Sequence, residues 1–205
     1  CEQNGADIQQ VIQAMGEDKR IGNHYWYPGL GYGGSCFPKD VRELAAYSKS
    51  VGETNNILVK IDQLNSTRIA ERMESFGKKI NTWKNKKVAV LGLSFKPNTD
   101  DIREAPSLKV IPFLKKAGAQ VVAYDPKANQ IIKKVIKDLE TTSDPYQTCK
   151  GADIVMILIE WPELISLDLS KLKNIMKGTI FIDTRNQYNP TTVVSHGFEY
   201  LGIGR

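Results

Sequence analysis

The chain has 205 residues, 41% of them hydrophobic, and a formal net charge of +5, enough for one medium core with a smaller helical appendage. No run approaches the roughly 20 apolar residues that cross a bilayer, and the basic residues are interspersed with acids, which argues against both membrane and nucleic-acid partners. Three scattered cysteines, Cys1, Cys36 and Cys149, exclude a disulfide framework and offer no CxxC pair, so no metal and a cytoplasmic location are expected.

The opening Cys-Glu-Gln-Asn-Gly is neither a signal peptide nor a translational start, so the sequence is expected to be a fragment. Ile8, Val11, Ile12 and Met15 form a helical stripe within Ala6–Met15. The stretch Ile21–Asp40, rich in glycine and aromatic residues, is too irregular for a helix or strand and too aromatic for a linker. Pro38 suits the first turn of a helix that continues to Gly52, and a longer one is expected from about Asn55 to Ser75, with Ile57, Leu58, Ile61, Leu64, Ile69 and Met73 on its apolar side. Its length suits core packing, a bridge between domains or pairing with a second subunit.

Beyond Lys84–Lys87 the pattern changes. Apolar runs at Val88–Leu91, Gln120–Tyr124, Ile154–Ile159, Thr179–Ile182 and Phe198–Ile203 alternate with helical stretches at Pro106–Ala117, Ala128–Leu139, Pro145–Lys150 and Pro162–Met176, where Pro112 is expected to kink the first. Continuous apolar strands alternating with helices predict an α/β fold: a helical segment over 1–84, then a doubly wound, mostly parallel, Rossmann-like sheet over 85–205.

In such a sheet ligands lie beyond the carboxyl ends of the strands. Ser94–Asn98, Glu160–Pro162 and Asp183–Asn186 occupy such ends, and together offer an aromatic wall with two cations, Lys96 and Arg185, for a phosphorylated ligand; as isolated charges each would be a solvated surface residue. Asp125 stands where a ribose-binding acid of a dinucleotide site often sits. Yet Leu91–Lys96 keeps one glycine where the dinucleotide fingerprint needs three, which favours a nucleotide diphosphate held by side chains.

Cys36 is the most informative residue. A free cysteine is ordinarily a small buried hydrophobe. Here Gly33, Gly34 and Ser35 precede it, a helix opens at Phe37-Pro38, and Lys39 and Asp40 follow. A helix N-terminus and a nearby cation both favour the thiolate, and Asp40 is placed to hold or deprotonate water, unless it is only a helix-capping acid.

These stretches carry a resemblance. GYGGSCFPKD (Gly31–Asp40), RIGNHY (Arg20–Tyr25), LGLSFKPNTDDIREAPS (Leu91–Ser107), YDP (Tyr124–Pro126), EWPE (Glu160–Glu163) and DTRN (Asp183–Asn186) are similar, in order and throughout the chain, to the UDP-glucose/GDP-mannose dehydrogenase family. The resemblance implies two hydride transfers that oxidise a sugar alcohol to an acid, with NAD as cofactor and UDP-glucose as substrate. GDP-mannose is the rival substrate, and a non-catalytic nucleotide-sugar-binding or dimerisation module the rival from another class. It further implies that Cys36 captures the aldehyde and that Asp40 assists water. Arg20, Tyr25, Trp26, Tyr27, Pro28, Gly29, Gly31, Tyr32, Gly33, Gly34, Phe95, Lys96 and Arg185 would contact substrate, Arg20 that of a neighbouring subunit, while Lys39 and Arg103 would reach the NAD. A homodimer is implied as well. The family's NAD-binding half would precede Cys1, so the fragment alone is expected to be inactive.

Overall fold

The computed structural model describes residues 1–53 and 56–205. Helices α1 (Ile8–Gly16), α2 (Phe37–Ser50) and α3 (Ile57–Lys79) come first; the expected start of the long helix at Asn55 lies outside the described residues. Each begins where its chemistry dictates. Asp7 accepts from the Gln9 amide and Asn56 from the Leu58 amide, satisfying donors the first turn leaves open, while Pro38 sits in the first turn of α2. α3 runs a turn past Ser75, since Met73 and Phe76 continue the stripe that buries Ile69.

The remainder alternates strand and helix: β1 (Lys87–Leu91), α4 (Ser107–Lys116), β2 (Gln120–Tyr124), α5 (Asn129–Val135), β3 (Glu140–Thr141), α6 (Pro145–Cys149), β4 (Ile154–Ile157), α7 (Leu169–Ile175), β5 (Ile180–Asp183), α8 (Pro190–Ser195) and β6 (Glu199–Gly202). All strand pairs are parallel, in the order β3-β2-β1-β4-β5-β6. The order reverses between β1 and β4, so a crevice opens beyond Leu91 and Ile157. Val88–Leu91 and Ile154–Ile157 are wholly buried, as befits strands with helices on both faces.

The expected architecture is present, with local corrections. The helix expected over Pro162–Met176 is confined to Leu169–Ile175, because Asp168 caps it through the Lys171 amide and the preceding residues turn so that Leu164 and Leu167 are buried. The helix expected to Leu139 stops at Val135, before Asp138 turns to a positive φ of 61°. Strand β4 ends at Ile157 rather than Ile159. α4 is continuous through Pro112. β3 and α8 were not expected.

Candidate functional site

The turn after β1 is closed from within. Asp125, at the end of β2, is 1% exposed. Its Oδ2 accepts from the amides of Leu93 (2.7 Å) and Ser94 (3.1 Å) and from the Trp161 indole (3.1 Å), while Oδ1 accepts from the amides of Lys127 and Ala128 (both 2.8 Å). A carboxylate therefore occupies the amides that a pyrophosphate would use in a dinucleotide-binding turn. This agrees with the missing glycines and makes Asp125 a staple rather than a ribose ligand. Trp161 is corrected too: buried and tied to Asp125 and Ser94, it is a wall of the core and not an open aromatic platform.

A cleft of about 880 Å³ opens at the carboxyl end of the sheet, between Phe95 after β1, Arg185 after β5, Gly204 after β6 and the loop between α1 and α2. Of the residues the sequence singled out, Tyr25, Tyr27, Pro28, Gly29, Gly31, Tyr32, Gly33, Phe95 and Arg185 line it; Cys1, Glu2, Ile8, Arg68 and Ile203 join them. Its volume suits a nucleotide-sized ligand. Arg185 is not a free cation: its Nε and Nη2 form a two-pronged pair with Glu160 (2.6 and 2.9 Å), half-sunk in the protein. The third nitrogen, Nη1, faces Gly29, where a β-carbon would lie only 2.5 Å away. Lys96 stands outside the lining, its ammonium 5.4 Å from the centre of the Phe95 ring. Trp26 donates its indole N–H to the Gly22 carbonyl (3.1 Å), and Arg20, exposed and paired with Asp18 (2.5 Å), is likewise apart from the cleft.

Three ties fix the loop that carries Cys36. The Arg68 Nε donates to the Gly29 carbonyl (3.1 Å), Asn65 grips the peptide groups of Tyr32 on both sides, and the Gly34 amide donates to the Arg103 carbonyl (3.1 Å). Gly34 has φ +86° and a β-carbon there would stand 2.8 Å from the Phe95 ring, so only glycine fits. Leu30, 2% exposed, anchors the loop in the core.

Cys36 emerges at the N-cap of α2, exposed, with its Sγ 3.7 Å from the Ser35 hydroxyl. Beside it a second hollow of about 420 Å³ is lined by Gly34, Ser35, Lys39, Arg42, Arg103 and Glu104, with Pro38 at its edge. Its cations are partnered. Lys39, expected to assist the thiolate, instead pairs with Asp40 (2.6 Å) and Glu43 (3.2 Å), which push its pKa up. Arg42 bridges Asp62 of α3 and Glu104 (both 3.2 Å). Arg103 pairs with Asp101 (2.7 Å), the main cause of its raised pKa. These are exposed pairs that a bound anion can displace at small cost.

Asn65 escaped sequence reasoning, and Arg68 reads there only as a polar position of the long helix. Polar positions on an amphipathic helix read as its solvent face, and nothing in the spacing marks a side chain that turns inward to a loop.

A nucleotide-sized cleft at the carboxyl end of a doubly wound parallel sheet, with an exposed thiol further along the loop that lines it, defines an α/β protein with a ligand cleft. The chain belongs to the UDP-glucose/GDP-mannose dehydrogenase family: residues 1–67 match its central domain and residues 89–190 its UDP binding domain. Similar over the whole chain are the UDP-glucose 6-dehydrogenases of Rhizobium meliloti and Pseudomonas aeruginosa, each 39% identical, and the chain spans 47% of the length of each. A UDP-glucose dehydrogenase from Pyrobaculum islandicum superposes with TM-score 0.85 at 32% identity, over 98% of this chain and 44% of that one. An NDP-N-acetyl-D-galactosaminuronic acid dehydrogenase from Methanosarcina mazei does so with TM-score 0.86 at 26% identity, over 100% of this chain and 45% of that one.

Proposed function

We propose that this chain is the substrate-holding, thiol-bearing part of an NAD-dependent UDP-glucose 6-dehydrogenase. The observation that carries the reading is Cys36 on a clamped loop whose preceding residues line the large cleft, through Gly33, and the Arg103-lined hollow, through Gly34 and Ser35. The cleft takes the nucleotide sugar, with Phe95 as apolar cover and Arg185, whose Nη1 lies against Gly29, as the cation for the phosphates. Lys96 reaches them only from the rim.

The turn after β1 does not fit a dinucleotide, since Asp125 already holds its amides, whereas the hollow beside Cys36 fits the near edge of a cofactor held by other protein, with Lys39 and Arg103 on its phosphates or amide. NAD+ supplies the acceptor for a hydride from the sugar C6, once at the alcohol level and once more later. At the aldehyde level the Cys36 thiolate adds to the carbonyl carbon and the oxygen gains a proton, giving a thiohemiacetal. Loss of hydride and a proton leaves a thioester. Water adds, the thiolate departs as a good leaving group, and the carboxylate is released. Asp40, one turn into α2 and reached by the same Lys39, takes a proton from that water. The exposed apolar faces of α2 and α3, with Leu44, Tyr47, Val51 and Leu64, support a homodimer in which Arg20 reaches a neighbouring site.

Calorimetric titration of the chain with UDP, GDP and NAD+ tests the substrate assignment. UDP should bind in preference to the others, and Arg185→Ala should weaken it about ten- to a hundredfold, since a charged hydrogen bond is lost and Glu160 is left to repel phosphate. Preference for GDP would reassign the base, and preference for NAD+ would return the domain to dinucleotide binding.

A further inference from the structure

α3 presents two different faces to its own protein. Ile69, Met73 and Phe76 enter the core, while Asn65, Arg68 and Arg72, spaced three and four residues apart, form a polar stripe along one side. That stripe is occupied. Arg72 pairs with Glu2 (2.5 Å), Arg68 donates to the Gly29 carbonyl (3.1 Å), and the Asn65 carboxamide meets the backbone of Tyr32 twice: its Oδ1 accepts from the Tyr32 amide (2.9 Å) and its Nδ2 donates to the Tyr32 carbonyl (3.1 Å).

A carboxamide is itself a peptide-like group, one donor edge and one acceptor edge, so asparagine can pair with one residue's N–H and C=O in the manner of a neighbouring strand. The loop is shaped to receive it. Gly31 has φ +118°, and a β-carbon there would collide with Asn65 Oδ1. Tyr32 lines the cleft and precedes Cys36 by four residues, and on the other side of it the Gly34 amide is tied to the Arg103 carbonyl. Both clamps lie on the N-terminal side of the cysteine, one from the helical segment at Tyr32 and one from the α/β unit at Gly34. Leu30 already secures the loop to the core. The Asn65 grip adds something else, the angle at which the chain leaves Tyr32 towards Cys36.

We propose that Asn65 is a positioning residue for Cys36: its carboxamide fixes the Tyr32 peptide and so sets where the thiol stands relative to the cleft. This rests on the reading of Cys36 and the cleft as one site. Because reaction rates at a nucleophile fall by up to about a hundredfold for an ångström of misplacement, the effect belongs to the chemical step more than to binding.

The test measures the thiol directly. In a background with Cys1→Ser and Cys149→Ala, the rate of Cys36 alkylation by iodoacetamide is followed against pH, with circular dichroism reporting the fold, for Asn65→Leu, which removes both bonds, and Asn65→Asp, which keeps the acceptor and loses the donor. Asn65→Leu is expected to change the limiting rate or the midpoint of the profile by about threefold or more, with Asn65→Asp between it and the parent. Should Asn65→Leu fail to fold, Asn65→Asp alone carries the comparison. Profiles that coincide with the parent in folded variants would overturn the proposal, because a residue acting only on stability leaves the folded thiol unchanged. In a protein that joins this chain to an NAD-binding half, Asn65→Asp should lower kcat by about tenfold with KM for UDP-glucose little altered; a raised KM with unchanged kcat would overturn it equally. The alkylation profile involves no nucleotide, so an altered profile in a chain that ignores UDP would sustain the positioning role and sink the substrate reading alone.

Discussion

Replacing Asp125 with alanine removes the acceptor that closes the turn after β1. Five backbone or indole donors and the Ser94 hydroxyl point at this one carboxylate, which is 1% exposed. Water entering beside exposed Lys127 can satisfy its amide, and Ser94 can keep its bond to the Lys96 carbonyl. The amides of Leu93, Ser94 and Ala128 are buried and have no such recourse, and the Trp161 indole keeps only its longer contact with the Ser94 hydroxyl (3.3 Å). At about 1–3 kcal/mol for each orphaned group, less the relief of no longer burying a carboxylate, the loss should be about 3–5 kcal/mol. That is a large part of the roughly 5–15 kcal/mol that holds a domain together. With a urea dependence of about 2–3 kcal/mol per molar, the unfolding midpoint followed by circular dichroism should drop by about 1–2 M. Asp125→Asn, which keeps one oxygen but turns an amino group towards donors, should fall between. A midpoint within about 0.3 M of the parent at unchanged slope would refute the staple, since so small a shift cannot accommodate even one orphaned buried amide.

Three further outcomes follow from burial and charge. Cys1 and Cys36 are exposed and Cys149 is buried with its thiol pushed up to about 12, chiefly by desolvation; two thiols should react with iodoacetamide in the native chain and three in urea, and a native count of three would contradict that packing. Burial also raises the phenols of Tyr124, Tyr188 and Tyr200, Tyr124 being further held by its hydrogen bond to Glu163. The unfolded chain therefore ionises first: the stability these groups contribute is full below the ordinary thiol and phenol values of about 8.5 and 10 and is lost as pH climbs towards the folded ones, so the melting temperature should fall steeply above about pH 9. A flat profile to pH 11 would show these groups to be solvated, that range being about where free phenols are mostly ionised. Lastly, Leu64, 55% exposed on α3, should matter to self-association: sedimentation of the parent at tens of micromolar should show a dimer and Leu64→Asp a monomer, whereas a monomeric parent would leave the apolar faces of α2 and α3 for another partner.

The parallel sheet was legible because strands buried on both faces carry no alternation, as Val88–Leu91 and Ile154–Ile157 show. β3 was not, since Glu140–Thr141 is two residues of backbone pairing at the sheet edge with no apolar face of its own. The helix expected across Pro162–Met176 is shorter because Leu164 and Leu167 are buried by a turn that the Tyr188 hydroxyl pins, accepting from the Leu167 amide and donating to the Leu164 carbonyl, a contact across more than twenty residues. In the site, the glycine-rich loop and Cys36 announced themselves by composition. Pairings did not. Glu160 takes two nitrogens of Arg185, and Asp125 takes the Trp161 indole, so that a cation and an aromatic ring expected to face a ligand are partly or wholly committed within the protein. Sequence position shows which groups reach a strand end, whereas only the fold decides which of them find each other first.

In the proposed function Cys36 carries the substrate covalently between two oxidations. It is tested most directly in a protein that joins this chain to an NAD-binding half, by counting NADH formed per UDP-glucose consumed and assaying the acid in the parent and in Cys36→Ser. Two NADH and one UDP-glucuronate per substrate are expected in the parent, and in Cys36→Ser a stalled or greatly slowed release of acid, because an alkoxide is a far poorer leaving group than a thiolate. Acid production at the parental rate in Cys36→Ser would contradict it.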